Sequence, residues 1–154
     1  MKAAPMYDPY GWKAKIGLIV PSTNTVNEPE FWRMAPPGVT IHTSRVLLLG
    51  KATRESYFEM ARQLERAARE LATAEVDVVA YGCTSGSIIC PLPELLKDMS
   101  TAAGVPATAA AGAVVAALRQ LEVRHVALAT PYMDFVNEAE IRFLEEYEIG
   151  RAHV

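Results

Sequence analysis

Short apolar runs alternate with amphipathic helical patterns along this sequence, and the alternation limits the possible folds more than any other feature. The clearest run, KIGLIV at residues 15–20, is rich in β-branched residues and ends at a proline, which is typical of a buried strand. Comparable runs occupy residues 39–49, 76–81, 105–109 and 123–130. Strands that alternate with helices over short loops pair as a parallel sheet. The pattern therefore predicts an α/β protein.

The segments between these runs carry helix signals. Residues 53–73 repeat apolar side chains at three- and four-residue spacing, with Glu and Arg filling the other face. Asn27 is the expected cap of a short helix that has Pro29 in its first turn. Further helices are predicted at residues 92–103, 112–121 and 134–147. We therefore predict a flavodoxin-like parallel sheet with helices on both faces.

An internal repeat bears on the domain organisation. Residues 16–31 (IGLIVPSTNTVNEPEF) align without a gap with residues 126–141 (VALATPYMDFVNEAEI), and six of the sixteen positions are identical, including a VNE triplet. Two βα units that merely share capping chemistry are the alternative explanation. We expect instead a duplicated domain: a lead-in at residues 1–14, a first α/β half at residues 15–122, and the start of a second half at residues 123–147.

The C-terminal heptapeptide carries a separate signal. Residues 148–154 (EIGRAHV) break the last helical pattern at Gly150, and one codon choice for them matches a common sequencing adapter. We expect residues 148–154 to be a non-native tail and the second of two pseudo-symmetric halves to be truncated. The counterpart of Cys83 would then be missing, so we expect the 154-residue chain by itself to be inactive.

Composition and missing motifs exclude several functions. A formal net charge of −3 without a basic stripe argues against nucleic acid binding. The sequence lacks a run of eighteen apolar residues that could span a membrane. Two cysteines do not form a disulfide framework for a chain of this size, which favours a cytoplasmic location. Without a Walker-type loop or a GxGxxG motif, nucleotide cofactors find no support, and the two cysteines, without a second pair or clustered His, do not make a zinc site.

Small polar residues follow three of the predicted strands, at residues 21–25 (PSTNT), 82–87 (GCTSGS) and 130–132 (TPY). Ligands of open parallel sheets bind beyond the carboxyl ends of the strands. Neutral donors of this kind suit a small carboxylate. Cys83 is the strongest catalytic candidate, because N–H groups at a helix start would stabilise its thiolate, although free cysteines are often only buried hydrophobes. Asn24 and Tyr132 could also serve simply to shape a turn and to pack.

The remaining cysteine and the histidines carry weaker signals. Cys90 lies in the apolar stretch SIICPLP and is expected to pack in the core. His42 and His125 lie in predicted strands, where a structural or exposed position is expected. His153 belongs to the predicted tail.

The motifs GLIVPSTNT, YGCTSGS and ATPY followed by an Asn together resemble the aspartate/glutamate racemase superfamily. Within it, the sequence most resembles the maleate cis–trans isomerase branch, which is related to the arylmalonate decarboxylases. The resemblance implies two pseudo-symmetric halves around one active site, a cysteine from each half, and no cofactor or metal. It also implies catalytic roles for Cys83, Tyr132 and Asn24. The residues that it places in substrate binding are Pro21, Ser22, Thr23, Thr84 and Ser85.

The reaction that the resemblance implies is covalent isomerisation of a small cis-dicarboxylate, of the maleate-to-fumarate type, by a Cys83 thiolate. Three alternatives stay open: an amino-acid or hydantoin-type racemase with two cysteines, an arylmalonate-type decarboxylase, and an inactive fragment that only binds small carboxylates. The decarboxylase branch lacks a cysteine at the first position, so Cys83 counts against that reading. We expect the full-length protein to be a homo-oligomer.

Overall fold

The main sheet of the protein has four parallel strands. In the computed structural model, which describes residues 10–152, these are β1 Ala14–Pro21, β2 Val39–Val46, β3 Val78–Tyr81 and β4 Ala107–Ala109. They pair in the order β2-β1-β3-β4, with every pairing parallel. This is the strand order of the flavodoxin-like fold, so the predicted fold class is confirmed.

Helices lie on both faces of this sheet. Leu18 and Val20 of the central strand are fully buried and pack with Phe31 on one face, whereas Ile19 packs with Met99 in the larger core on the other. The alternation follows from the two-residue period of a strand. The helices are α1 Asn27–Met34, α2 Arg54–Ala61, α3 Leu64–Thr73, α4 Thr84–Ile89, α5 Leu92–Ala103, α6 Ala110–Gln120 and α7 Asp134–Glu146.

The strand order reverses between β1 and β3. From β1 the chain passes to β2 on one side, and it later returns to place β3 on the other side of β1. Ile19 pairs with Tyr81, and the Gly82 N–H extends the pairing to the Ile19 carbonyl at 2.8 Å. The loops that follow the two strands therefore start side by side. A reversal of this kind opens the crevice in which such sheets bind ligands.

The prediction of one helix over residues 53–73 was wrong, because the segment forms α2 and α3 with a turn at Arg62 and Gln63. The cause is a contact that lies outside the helix. The Gln63 side-chain amide donates to the Leu47 carbonyl at 3.1 Å and accepts from the Leu47 N–H at 2.8 Å. It also donates to the Glu59 carbonyl at 3.1 Å, which the helix leaves unpaired at the turn.

The predicted strand at residues 123–130 is much shorter than expected. Only β5, His125–Val126, is regular, and it pairs in parallel with β6, Gly150–Arg151, in a separate two-stranded sheet. A strand persists only where a partner extends beside it, and β6 is two residues long. Ile149 is buried in a small cluster with Val115 and Leu144. Of the predicted lead-in and tail, residues 1–9 and 153–154, including His153, lie outside the described residues.

Candidate active site

Cys83 lies directly after β3 and is the N-cap residue of α4. Its sulfur accepts a hydrogen bond from the Gly86 N–H at 3.3 Å and lies 3.8 Å from the Ser85 hydroxyl oxygen. The residue is 9% exposed. Helix α4, which was not predicted from the sequence, begins at Thr84 because the side chain of Cys83 takes the place of an oxygen cap. The sulfur is thereby held at the carboxyl end of the sheet.

Ser87 fixes the short helix α4 that carries this cap. Its hydroxyl has two carbonyl acceptors within reach, that of Cys83 at 2.8 Å and that of Thr84 at 3.0 Å. It also accepts a hydrogen bond from the Ala111 N–H at 3.1 Å. The residue is fully buried, so these bonds tie α4 to α6 in the interior. A serine among small polar residues gives no sign of such a role in the sequence, which is why this contribution was missed.

Two asparagines connect the loop after β1 to the cysteine loop. The Asn24 side-chain oxygen accepts from the N–H groups of Val26 at 3.0 Å and Asn27 at 2.9 Å, so Asn24 shapes the start of α1 and the prediction of Asn27 as its cap was wrong. Asn27 is directed elsewhere: its Nδ2 donates to the Gly82 carbonyl at 2.8 Å. The Asn24 Nδ2 in turn donates to the Asn27 Oδ1 at 3.3 Å. The three residues link the two loops across the reversal point.

Asn27→Ala is expected to lower the free energy of unfolding by about 1 kcal/mol, because it removes the bond to the Gly82 carbonyl. Gly82→Ala attacks the same bond from the other side, since a Cβ at Gly82 would lie 2.2 Å from the Asn27 Nδ2. Urea unfolding of the two single variants and the double variant measures the coupling between them. We expect the double variant to lose less than the sum of the singles, because Asn27→Ala also removes the clash with the new Cβ at residue 82; simple additivity would show that Asn27 does not lie against Gly82 as described.

Pro21, Ser22 and Thr23, the predicted substrate-binding residues in the loop after β1, differ from one another in burial and in contacts. The Ser22 hydroxyl accepts from the Leu48 N–H at 3.0 Å, and thus lies towards β2. The loop itself is held by Arg45, which donates to the carbonyls of Ser22 at 3.1 Å and Asn24 at 2.8 Å and pairs with Glu28. Pro21 is buried at the end of β1, and Thr23 is exposed.

Tyr132 approaches the cysteine from the segment that precedes α7. Burial raises the pKa of its half-buried phenol, and a hydrogen bond with the Thr84 side chain acts in the opposite direction. Its backbone is fixed by the Thr130 hydroxyl, at 3.3 Å from the Tyr132 N–H, and by the Asn137 Nδ2, at 3.2 Å from the Tyr132 carbonyl. Thr84 is the first residue of α4, so Tyr132 lies next to the helix that Cys83 caps. Tyr132 and Cys83 therefore share one region of the structure.

Cys90 has the surroundings of a packing residue, as predicted. It is 3% exposed, and its sulfur lies 3.8 Å from the Tyr57 carbonyl oxygen, to which it donates. Burial, with a contribution from nearby Cys83, raises the pKa of the Cys90 thiol to about 11. Of the histidines, His42 bonds to the Thr40 hydroxyl at 2.9 Å and His125 lies exposed in β5.

Within residues 10–152, the His, Cys, Asp and Glu side chains form no group of three or more that could hold a metal ion. None of the helices in the same range is long and apolar enough to cross a membrane.

Comparison with known proteins decides the family. The profile of the arylmalonate decarboxylase family matches residues 16–153. The chain belongs to this family. The chain is similar to relatives of two activities: a maleate isomerase of Pseudomonas putida is 31% identical over 147 residues, and an arylmalonate decarboxylase of Bordetella bronchiseptica is 36% identical over 134 residues. The matches cover 86% and 85% of this chain but only 58% and 55% of the relatives, so the chain spans little more than half of their length.

Solved structures of the arylmalonate decarboxylase family share the fold. A cysteine-to-alanine variant of a Pseudomonas putida maleate isomerase with maleate superposes with a TM-score of 0.78 at 27% identity, over 90% of this chain and 61% of that one. A Nocardia farcinica maleate cis–trans isomerase with a covalently bound succinylcysteine intermediate gives 0.78 at 26% identity, with the same coverage. A doubly substituted arylmalonate decarboxylase in liganded form gives 0.80 at 34% identity, over 90% and 59%. The superfamily membership that the sequence motifs indicated is confirmed.

Proposed function

We propose that the complete protein containing this chain isomerises a small cis-dicarboxylate of the maleate type, with Cys83 as the nucleophile. The observation that carries the proposal is the position of the Cys83 sulfur. It lies at the carboxyl end of β3, beside the point where the strand order reverses, and already accepts the Gly86 N–H at 3.3 Å. A relative of the same family holds a covalent succinylcysteine intermediate, which is the species that addition of a thiol to maleate produces.

The reaction needs only the thiolate and the substrate. The sulfur of Cys83 forms a bond to C2 of the cis-dicarboxylate, and the electron pair of the C2=C3 double bond moves to C3 and into the adjacent carboxylate as an enediolate. The C2–C3 bond is now single and rotates by half a turn. The electron pair then returns to re-form the double bond in the trans isomer, and the thiolate leaves. Atoms and electrons balance without an oxidant, a reductant or a metal.

The developing charge on the enediolate calls for hydrogen-bond donors in fixed positions. We assign this role to Tyr132, whose phenol stays protonated because burial raises its pKa, and to the hydroxyls of Thr84 and Ser85 at the start of α4. Asn24 is placed on the other side of the reversal point, in the loop that Asn27 links to Gly82. Neutral donors stabilise a charge that appears during the reaction without holding the dicarboxylate so tightly that release is slow.

We further propose that this site is shared between two halves of the complete protein. Residues 15–122 form the first half, and residues 123–147 begin the second. The four-stranded sheet does not include β5, which supports this division. Tyr132, which follows β5, would be a contribution of the second half to the site that contains Cys83.

An arylmalonate decarboxylase is the second candidate, and a specific observation favours it. The Bordetella bronchiseptica decarboxylase is 36% identical to this chain, against 31% for the Pseudomonas putida maleate isomerase. Loss of carbon dioxide from a malonate also passes through an enediolate, so the same donors would serve. The difference lies in the sulfur, which must attack carbon in the isomerase but not in the decarboxylase.

A substrate screen of the complete protein distinguishes these reactions. Maleate, phenylmalonate, L-aspartate and one enantiomer of a 5-substituted hydantoin are supplied separately, and the products are followed by proton NMR, carbon dioxide release and polarimetry. We expect fumarate from maleate and no reaction with the other three. Carbon dioxide from phenylmalonate without fumarate from maleate would replace the isomerase with the decarboxylase, and loss of optical activity from aspartate or the hydantoin would replace it with a racemase.

A further inference from the structure

The hydroxyl of Tyr81 is buried without a hydrogen-bond partner. Tyr81 is the last residue of β3 and is 1% exposed. Among the described residues, only its hydroxyl and one carboxylate oxygen of Glu140 are buried side-chain polar atoms that lack a partner. Folded proteins pair nearly all such groups, because an unpaired one loses its bonds to water and gains nothing in return. An exception two residues before Cys83 calls for a specific explanation.

Gly86 shows what the hydroxyl is directed towards. A Cβ atom built on Gly86 would lie 2.4 Å from the Tyr81 hydroxyl oxygen and 3.1 Å from the Cys83 sulfur. The two atoms therefore flank the same small space in the first turn of α4, which only a glycine leaves open. The third neighbour of this space is the Met60 methyl carbon, at 3.0 Å, which cannot accept a hydrogen bond. Of the other two neighbours only the sulfur can accept a hydrogen bond, and a hydrogen bond with the Cys83 side chain is among the causes that raise the pKa of Tyr81.

The titratable groups near Tyr81 and Cys83 bear on what could stabilise a thiolate at Cys83. The titratable groups that act on Tyr81, or on Tyr132 on which Cys83 also acts, are Cys83 itself, Cys90, Tyr57 of α2 and Glu140 of α7. None of these is a cation. A thiolate is stabilised by nearby positive charge or by hydrogen-bond donors. In these surroundings a negative sulfur must rely on donors, of which the Gly86 N–H is already in place.

We propose that Tyr81 is a positioning residue whose hydroxyl donates a hydrogen bond to the Cys83 sulfur once that sulfur is a thiolate. A neutral thiol is a weak acceptor and a thiolate a strong one, which explains why the hydroxyl makes no hydrogen bond of regular geometry with the resting thiol although the Cys83 side chain is close enough to help raise the pKa of Tyr81. Burial, assisted by the proximity of Cys83, raises the pKa of Tyr81, so the phenol keeps its proton where the thiolate forms. The inference rests on the proposed role of Cys83 as nucleophile.

Tyr81→Phe tests this directly, because it removes the hydroxyl and keeps the ring. The comparison is made on the 154-residue chain in a Cys90→Ser background, in which Cys83 is the one remaining cysteine. Thiolate formation is followed by ultraviolet absorbance against pH, with the Cys83→Ser/Cys90→Ser variant subtracted, and by the rate of alkylation with iodoacetamide. We expect Tyr81→Phe to move both profiles by about one pH unit to higher pH, which slows alkylation at neutral pH about tenfold.

A measurement of stability distinguishes a donor to the thiolate from a residue that only supports the fold. Because the buried hydroxyl makes no hydrogen bond of regular geometry in the resting protein, Tyr81→Phe should unfold at the same or a higher urea concentration than its parent. Tyr147→Phe, at the end of α7, serves as the matched control and should leave the pH profile unchanged. An unchanged profile in Tyr81→Phe, or equal shifts in both variants, would overturn the proposal, as would a loss of stability without a shift.

The two proposals can fail separately, since the titration contains no substrate. If the pH profile is unchanged but the complete protein converts maleate, the role of Tyr81 is rejected and the proposed isomerase activity stands. If the profile shifts but the complete protein produces no fumarate, the isomerase activity is rejected and the role of Tyr81 as a donor to the sulfur stands.

Discussion

Cys83→Ser is expected to lower the rate of maleate-to-fumarate conversion by the complete protein at least about a thousandfold. Serine is close to cysteine in size, so the cap of α4 and the bond from the Gly86 N–H can persist. Its hydroxyl, however, is far more weakly acidic than a thiol and supplies almost no anion to attack the double bond. Steady-state formation of fumarate, followed by NMR, measures the loss. Far-ultraviolet circular dichroism should show an unchanged fold.

Cys90→Ser is the matched control for this substitution, since it makes the same change at the other cysteine of the sequence. Cys90 is 3% exposed, and burial raises the pKa of its thiol to about 11, so it stays protonated. We expect turnover within about twofold of the parent, together with a modest loss of stability from placing a hydroxyl in the core. Equal losses of activity in the two serine variants would mean that the effect at Cys83 is structural.

Gly86→Ala is expected to lower the free energy of unfolding by about 2 kcal/mol and to impair the site at the same time. The new methyl group would meet the hydroxyl of Tyr81 at 2.4 Å and the Cys83 sulfur at 3.1 Å. The Tyr81 ring is rigid and buried, so it cannot move aside without disturbing the core around β3. Overpacking of this kind outweighs the improvement of up to about 1 kcal/mol that alanine brings to a helix. Urea unfolding measures the balance.

Gly112→Ala, in contrast to Gly86→Ala, is expected to raise the free energy of unfolding. Gly112 lies in α6, and a Cβ there would meet only a Leu92 methyl carbon at 3.4 Å, an ordinary contact. Without a clash, the helix propensity of alanine should stabilise the protein by about 0.5–1 kcal/mol. If both alanine variants are stabilising, the space beside Gly86 is not filled by Tyr81 and Cys83 as described.

The fold could be predicted from sequence because its determinants are local. The apolar run at residues 15–20 coincides with β1, and the pattern at residues 92–103 coincides with α5, which ends at Gly104 in the left-handed conformation that glycine favours. The division of α2 from α3 could not be predicted, since it depends on the bonds between Gln63 and the backbone of Leu47. No feature within residues 53–73 marks that turn.

In the candidate site, too, the features that depend on contacts between distant segments could not be predicted from the sequence. The rule that ligands bind at the carboxyl ends of parallel strands directed attention to the loops of Asn24 and Cys83, which Asn27 links in the structure. It could not reveal that Asn27, rather than Asn24, reaches across to Gly82, because the direction of a side chain depends on the turn that carries it. Tyr81 was missed for a different reason. In the sequence it is one more apolar residue of a buried strand, and only its neighbours Gly86 and Cys83 give its hydroxyl a role.

The most direct test of the central claim is to locate the covalent intermediate. The complete protein is mixed with maleate, quenched in acid and digested, and the peptides are mapped by mass spectrometry alongside Cys83→Ser and Cys90→Ser. We predict an added mass of one maleic acid on the peptide that contains Cys83, in the parent and in Cys90→Ser but not in Cys83→Ser. An adduct on Cys90, an adduct that persists in Cys83→Ser, or turnover with no adduct at any cysteine would contradict the assignment of Cys83 as the nucleophile.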